Sequence, residues 1–429
     1  ALLLNRHPEA DMIYSDQDKL NEQYQLCDPF FKPDWSPDTF LSQMYTCHLG
    51  VYRRELIEKI GKFRLGYEGS QDYDLVLRLT EHTSNILHIP KILYHWRIHS
   101  GSVASNLESK PYAYLAAKKA IQEAMQRRGE PGKVIDNLEY KGQYIVRYEI
   151  HEYKKVSIII PTRNLGKILN RCLRSIFEKT IYPNYEVVLI DNGSNELETL
   201  NIIEHWKQQE PYRFQSYRLD ISFNYSKLNN YAVEKAKGDY LLFLNNDTEV
   251  LVPDWVDAMV EQAQRPTIGA VGALLFYPDD EKIQHAGIVL GLGGLAGHSH
   301  KGLLKNESGY YHKLLLVNNY SAVTGACLMC RRDVFMQVNG FEDELAVAFN
   351  DVDFCLKILK AGYLNVCLPH VVLYHYESKS RGLEDTPAKQ DRFGKEIQFM
   401  QARWQAVIDR DPYYSIHLTR DKEDYSLRA

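Results

Sequence analysis

The sequence predicts an α/β protein whose main sheet is mostly parallel. Three apolar runs, at residues 156–160, 186–190 and 241–244, are too short for helices and are typical of buried strands. Between the first two, apolar residues recur at three- and four-residue spacing from Ile168 to Phe177, which indicates an amphipathic helix. A strand, a helix and a second strand in this order imply a parallel pair, and such sheets bind ligands beyond the carboxyl ends of their strands.

The composition is that of an ordinary soluble protein. The chain has 429 residues, enough for two domains or more, with 45% hydrophobic and 25% charged residues. A net charge of -5 gives no electrostatic reason to expect nucleic acid as a partner. No apolar run approaches the roughly 18 residues that a membrane span needs. The chain begins with Ala1 rather than Met, and we expect the true start to lie upstream.

Seven cysteines are scattered without a framework, which predicts reduced thiols and a cytoplasmic setting. Cys327 and Cys330 form a lone Cys-x-x-Cys with apolar neighbours and no second pair to complete a zinc site. We therefore expect both to be buried core thiols.

The first part of the chain repeats a later part. A short strand at residues 11–14 leads to Asp16 and Asp18, a carboxylate pair at a strand end. Arg53 aligns with Arg331 at an offset of 331 − 53 = 278, and small insertions bring Asp72 onto Asp351 and His95 onto His375. The sequence therefore predicts two copies of one domain, with Asp16 and Asp18 in the place of Asp247.

The segments around the copies complete the predicted organisation. Residues 111–129 have a helical pattern, and a linker with one strand at 144–146 follows. The glycine-rich segment 291–300 predicts a mobile loop, in which we expect no function for an exposed His298 and His300, nor for His285 nearby. A helix from Phe393 to Val407 should pack back on a domain. The predicted boundaries are 1–110, 111–155, 156–385 and 386–429.

Three polar clusters converge on the carboxyl edge of the predicted sheet: 162–164, 191–194 and 245–247. The third delivers one carboxylate, Asp247, flanked by the amides Asn245 and Asn246. Hard oxygen ligands of this kind suit a Mg²⁺ or Mn²⁺ ion that already carries substrate phosphates.

These clusters carry a resemblance to family 2 of the nucleotide-sugar glycosyltransferases. The matching stretches are 157–164, 188–194 and 244–249, the last in the place of that family's Asp-x-Asp motif with Asn245 replacing its first Asp. The resemblance covers nearly all of the chain. It implies a GT-A-like fold for both copies in tandem, with the first copy lacking its N-terminal nucleotide-binding half and therefore unable to hold a nucleotide-sugar by itself.

The resemblance also implies roles for individual residues. The metal ligands would be Asp247 and His375 in the second copy, and Asp16, Asp18 and His95 in the first. The general bases would be Asp351 and Asp72. The residues implied for nucleotide-sugar binding are Pro161, Thr162, Arg163, Asn164, Asp191, Asn192, Gly193, Lys227, Asn230, Asn245 and Asn246. From the residues alone, His375 is equally a core histidine, and Trp96 is equally an acceptor platform or a packing residue. Asp351 and Asp353 could merely cap the helix, but a cap needs only one of them and the chain repeats both at Asp72 and Asp74, which favours catalysis.

We therefore expect a metal-dependent inverting glycosyltransferase that uses Mn²⁺ or Mg²⁺. It would move a sugar from a UDP- or dTDP-linked donor to a hydroxyl of a glycan or lipid-linked glycan in the synthesis of a bacterial surface polysaccharide such as O-antigen. Its expected place is the cytoplasm, with peripheral association at the inner face of the membrane. The alternatives are a non-catalytic glycan- or nucleotide-binding module in at least the first domain, and a sugar nucleotidyltransferase.

Overall fold

The computed structural model describes residues 1–98, 111–137, 140–376 and 386–428. The helices are α1 Leu2–Arg6, α2 Pro37–Ser42, α3 Arg54–Lys59, α4 Gln71–Leu79, α5 Pro111–Arg128, α6 Gly166–Lys179, α7 Leu197–Gln209, α8 Tyr225–Lys235, α9 Trp255–Ala263, α10 Arg332–Gln337, α11 Asn350–Lys360 and α12 Pro387–Asp409. No helix in these ranges is long and apolar enough to cross a bilayer.

The strands of the first part are β1 Met12–Leu20, β2 Leu26–Phe30, β3 Gly50–Tyr52, β4 Ile86–Arg97, β5 Gly132–Asp136 and β6 Tyr144–Tyr148. Those of the second part are β7 Val156–Thr162, β8 Tyr185–Asp191, β9 Phe214–Arg218, β10 Tyr240–Leu244, β11 Thr248–Val250, β12 Ile268–Phe276, β13 Ile283–His285, β14 Ile288–Leu290, β15 Ala296–His298, β16 Asn318–Tyr320, β17 Cys327–Arg331 and β18 Leu364–His375.

The large sheet has the strand order β11-β18-β12-β17-β10-β7-β8-β9. Within the described ranges, the strands on this path run in one direction except β11 and β17, because only these two are antiparallel to their neighbours. The predicted α/β class with a mostly parallel sheet is confirmed. The carboxyl ends of β7, β8 and β10 bring the three polar clusters to one edge.

Apolar side chains cover both faces of this sheet. Along β10, Leu241 and Phe243 pack on one side with α8, α11 and α12, while Leu242 and Leu244 pack on the other side with α6 and α9. This alternation follows from the two-residue period of a strand. Met400, Trp404 and Ile408 of α12 are buried in the first of these layers, so the C-terminal helix packs back on the domain as predicted.

The first unit has its own sheet and core. α5 and the β5–β6 hairpin pack with the β1–β4 sheet, with Val134 and Tyr144 buried in the same cluster as Met12. The helix and hairpin that the sequence suggested as a linker region are thus part of this folded unit. A buried ion pair joins the two units: Asp38 Oδ1 lies 2.6 Å from Arg265 Nη1, and Asn319 Nδ2 donates to Asp38 Oδ2 at 2.8 Å.

Strand pairing identifies the counterpart of β1. β1 is parallel to β4 and antiparallel to β2 and β3, and β12 is likewise parallel to β18 and antiparallel to β13 and β17. Met12 pairs with Tyr52, and Ala270 pairs with Cys330, the residue 278 positions after Tyr52. β1 therefore corresponds to β12 at an offset of 270 − 12 = 258, at which Pro8 also falls on Pro266. The shared pairing supports the predicted repeat but shifts its alignment.

Candidate active site

The carboxylate and the histidine predicted to bind metal lie side by side. Thr248 of β11 pairs with His375 of β18, and the carbonyl of Asp247 accepts the backbone N–H of Tyr376, so sheet pairing places Asp247 against His375. Asp247 Oδ1 is 3.1 Å from His375 Nε2, and Asn245 Nδ2 is 3.3 Å from the same nitrogen. Both Asp247 and His375 are buried.

This spacing fits a shared cation. Two ligand atoms at about 2.1 Å from a metal and at right angles to each other lie about 3 Å apart. A carboxylate oxygen and an imidazole nitrogen that are this close need a proton or a cation between them. In the described ranges no cluster of three or more His, Cys, Asp or Glu side chains could hold a metal by itself. Asp247 and His375 would thus supply two ligands and leave the remaining positions to phosphate oxygens and water.

The first polar cluster reaches the same edge. Thr162 Oγ1 accepts the side-chain amide of Asn246 at 2.9 Å, which ties the ends of β7 and β10 together. Asn164 Oδ1 accepts the backbone N–H of Asn195 at 2.9 Å. Pro161 is partly buried and Arg163 is exposed next to this contact. The cluster is therefore assembled, although Asn246 and Asn164 bind other parts of the protein.

The second cluster is held by a residue that the sequence did not suggest. Asp191 accepts the backbone N–H of Ser194 at 2.8 Å through Oδ1, and Arg218 Nη1 at 3.1 Å through Oδ2. Gly193 has φ +78°, and a Cβ there would come within 2.3 Å of a carboxylate oxygen of Asp220, so only glycine fits this turn. Asn192 is buried and donates to two backbone carbonyls.

Lys227 and Asn230, the two predicted binding residues on α8, differ in exposure and in hydrogen bonding. Lys227 is exposed in the first turn of the helix. Asn230 accepts the backbone N–H of Phe341 and donates to the Phe341 carbonyl and to Asp343. Its amide thus holds the 341–343 loop, and its contact to the nucleotide stays a prediction.

Asp351, the predicted base, lies one strand away from the 245–247 segment that contains Asp247. Asp351 begins α11; its Oδ1 accepts the N–H of Val352 at 2.9 Å, and its Oδ2 accepts the N–H of Gly325 at 2.8 Å. The next residue, Ala326, accepts the backbone N–H of Asn245 through its carbonyl at 3.1 Å. Neighbouring strands are about 4.8 Å apart, so Asp351 and the 245–247 segment flank residues 325–326 from either side.

The other acid of α11 has a different role. Asp353 is fully buried and accepts a hydrogen bond from the Trp404 indole at 2.8 Å, with Arg403 at 3.2 Å. It fixes α12 to the domain, so the helix-cap alternative does not describe the contacts of Asp353. Asp351 accepts one N–H within the first turn of α11, from Val352, and one from outside the helix, from Gly325.

The first unit brings some of its predicted residues together and separates others. His95 Nδ1 lies 2.5 Å from Asp18 Oδ1. Asp16 is fully buried, and its Oδ1 bonds instead to His88 Nε2 at 2.8 Å and to the backbone N–H of Lys32. His88 Nδ1 also lies 3.2 Å from Asp34, which completes an Asp–His–Asp cluster whose outer member, Asp34, is partly exposed. Asp72 begins α4 and accepts the N–H of the next residue, as Asp351 does.

The alignment of Asp16 and Asp18 with Asp247 is wrong. Because β1 corresponds to β12, Asp16 falls on Leu274 and Asp18 on Phe276, and among the described residues the first unit shows no counterpart of β7–β11. The motif-based alignment matched two carboxylate-bearing strand ends that occupy different places in the sheet. Asp16 and Asp18 therefore do not stand where Asp247 stands.

The histidines of the glycine-rich segment are not the exposed pair that the sequence suggested. β14 and β15 pair there, and His300 is fully buried, with Nε2 accepting the N–H of Tyr310 and its ring stacked on Tyr425. Burial lowers the pKa of His300 to about 3. His285 is also buried, and its Nδ1 is 2.8 Å from His298 Nδ1. Cys327 and Cys330 are both fully buried, as predicted.

Comparisons with known proteins place this architecture in a family. A family model described as Glycosyl transferase family 2 matches residues 157–338. The whole chain is 44% identical to the uncharacterised protein y4gI of Sinorhizobium fredii and covers 47% of it. It is 38% identical over its whole length to the O-antigen biosynthesis protein RfbC of Myxococcus xanthus and covers 33% of it. The chain thus spans about half of one relative and a third of the other.

Among solved structures, the mannosyltransferase PcManGT from Pyrobaculum calidifontis, in complex with GDP-Man and Mn²⁺, has 18% sequence identity and a TM-score of 0.43, covering 70% of this chain and 79% of that one. The matched segment begins in β7 and ends beyond β17, so it contains all three polar clusters, whereas Asp351 and His375 lie after its end. Residues 157–338 thus match glycosyltransferase family 2.

Proposed function

We propose that the second unit is a metal-dependent inverting glycosyltransferase that moves a sugar from a nucleoside-diphosphate sugar to an acceptor hydroxyl. The observation that carries the proposal is the 3.1 Å contact between Asp247 and His375, one strand away from the carboxylate of Asp351. The family match supports glycosyl transfer, and this geometry supplies the parts that the chemistry needs.

Each residue has a distinct task in this proposal. Asp247 and His375 hold the divalent cation, Mn²⁺ or Mg²⁺, which neutralises charge on the leaving diphosphate. Asp351 accepts the proton of the attacking hydroxyl through an oxygen that the Gly325 N–H orients. A single base on the acceptor side, opposite the leaving group, implies direct displacement with inversion at the anomeric carbon. The 162–164 and 191–194 clusters bind the nucleotide, for which UDP or dTDP is favoured.

The acceptor is proposed to be a hydroxyl of a growing surface glycan or a lipid-linked glycan. A relative named as an O-antigen biosynthesis protein supports this class. We place the reaction in the cytoplasm, with peripheral association at the inner face of the membrane, as part of the same proposal. The nucleotidyltransferase alternative is disfavoured, since residues 161–165 after β7 have no glycine- and lysine-rich loop for a triphosphate.

For the first unit a second role is proposed. In the part of the chain that the structure describes, this unit shows no counterpart of β7–β11, while Asp72 and His95 keep the places of Asp351 and His375. We propose that this unit binds glycan.

The test is a panel of UDP-, dTDP- and GDP-sugars assayed with Mn²⁺ for transfer and for metal-dependent nucleotide binding. Asp247→Ala should lose metal-dependent binding, whereas Asp239→Ala, an exposed acid immediately before β10, should bind like the parent. Metal-dependent binding that survives Asp247→Ala would refute the metal assignment.

A further inference from the structure

We propose that Gln284 is a positioning residue for His375: it fixes the ring proton on Nδ1 and so leaves the lone pair of Nε2 facing Asp247. This inference rests on the proposed metal site. Gln284 lies on β13, is 4% exposed, and contacts His375 through both ends of its amide.

The two hydrogen bonds of the Gln284 amide together fix which of its ends faces the His375 ring. Gln284 Oε1 lies 2.6 Å from His375 Nδ1, and Gln284 Nε2 donates to the His375 backbone carbonyl at 3.3 Å. If the amide group were rotated by 180°, its oxygen would face the His375 carbonyl oxygen. Both atoms are acceptors, so no hydrogen bond could form. With Oε1 at the ring, Nδ1 must be the donor. The remaining nitrogen, Nε2, is then the atom that binds a cation.

The same contact also fixes the orientation of the His375 imidazole ring. Rotation that moves Nδ1 away from Gln284 would leave a buried N–H without its acceptor. Nε2 therefore stays 3.1 Å from Asp247 Oδ1, the separation that suits two ligands of one ion. Gln284 thus preorganises His375 without touching the ion.

The first unit solves the same problem with a different side chain. His95 corresponds to His375, and its Nδ1 lies 2.5 Å from Asp18 Oδ1. A side-chain oxygen therefore faces Nδ1 in both units, an amide in one and a carboxylate in the other. This contact gives Asp18 a positioning role in place of the ligand role predicted from sequence. A carboxylate in this place raises the basicity of the histidine as a ligand.

The comparison of the units defines the experiment. Gln284→Leu removes the acceptor at Nδ1, whereas Gln284→Glu keeps an acceptor there and imports the carboxylate of the first unit. Binding of Mn²⁺ in the presence of UDP is measured by electron paramagnetic resonance. Gln284→Leu should weaken binding by about 10- to 100-fold. Gln284→Glu keeps an acceptor at Nδ1 but sets its second oxygen against the His375 carbonyl, so it should weaken binding less than Gln284→Leu does. Gln143→Leu, which alters an equally buried glutamine of the first unit, is the control.

A second readout does not depend on metal. Nitrogen-15 NMR of histidine-labelled protein, with His375 assigned from its missing signals in His375→Gln, reports which ring nitrogen carries the proton. The parent should show the Nδ1–H form, and Gln284→Leu should shift the ring toward the Nε2–H form. Thermal unfolding without metal verifies that each variant is folded.

The outcomes separate the two levels of the proposal. If Gln284→Leu binds Mn²⁺ like the parent, or if the tautomer is unchanged, the positioning role is wrong while the proposed function stands. If Gln284→Glu is as weak as Gln284→Leu, the side chain serves packing only and the inference fails. If the parent protein binds no Mn²⁺ with UDP, the proposed function fails, and the NMR result still decides the role of Gln284.

Discussion

Replacing Asp351 by Asn tests the proposed base with little change in shape. The carboxylate now accepts two backbone N–H groups, from Gly325 at 2.8 Å and Val352 at 2.9 Å. An amide can accept from only one of them, so the variant should lose about one hydrogen bond, about 1 kcal/mol, and remain folded. Loss of the base should lower kcat by about 10²- to 10⁴-fold, while nucleotide binding stays near the parent level because Asp351 contacts none of the metal-side residues.

The assay is steady-state transfer, with nucleotide affinity measured separately. Asp333→Asn is a matched control, because Asp333 begins α10 and accepts the N–H of Val334 at 2.8 Å in the same way, but its side chain is 73% exposed. Asp333→Asn should transfer at the parent rate. Transfer by Asp351→Asn at the parent rate would refute the base assignment, and an equal loss of nucleotide affinity would show a role in binding instead.

Three further predictions concern the framework that positions the site. Trp404→Phe removes the indole donor to the buried Asp353 and should lower the free energy of unfolding by about 1–3 kcal/mol, measured in urea. Asp38→Ala leaves the guanidinium of Arg265 buried without its closest carboxylate and should lower the same quantity by about 3–5 kcal/mol. Burial lowers the pKa of His88, but hydrogen bonds to its two aspartate partners outweigh burial and raise it. That stabilisation is complete below the ordinary histidine pKa of about 6.5 and is lost as pH rises through the raised value, so the stability difference between the parent and His88→Gln should shrink over that interval.

Each of these predictions has a contradicting result. Unfolding free energies within about 0.5 kcal/mol of the parent for either of the first two variants would show that solvent replaces the lost partner. A difference between the parent and His88→Gln that is constant with pH would show that His88 does not change its charge in the folded protein over that interval.

The sequence was sufficient where the signal is local. The apolar runs that became β7, β8 and β10 have their own turn residues, and each polar cluster follows its strand directly, so these strands and the edge that they share were predictable. Asp247, His375 and Asp351 were recognised because their motifs keep a distinctive spacing. The contact between Asp247 and His375 then follows from sheet pairing.

The rest depends on contacts between distant residues. Gln284 binds His375 across 91 positions, and Arg218 reaches Asp191 across 27, with no motif to mark either pair. β1 was matched to the wrong strand because carboxylates at a strand end look alike in sequence, whereas strand identity is fixed by which neighbours pair with it. The glycine-rich segment was expected to be mobile, but Tyr425 of the C-terminal tail stacks on it and buries His300.

The contact of Asp38 with Arg265 and Asn319 has a mechanical consequence for a protein with two acceptor-side units. Rotation of one unit relative to the other would separate the buried Arg265 guanidinium from the Asp38 carboxylate. The energetic cost of that separation opposes a hinge motion here. The two units then keep a constant separation and orientation. If both bind glycan as proposed, the length and flexibility of the sugar chain, rather than motion of the enzyme, decide whether one glycan can reach both.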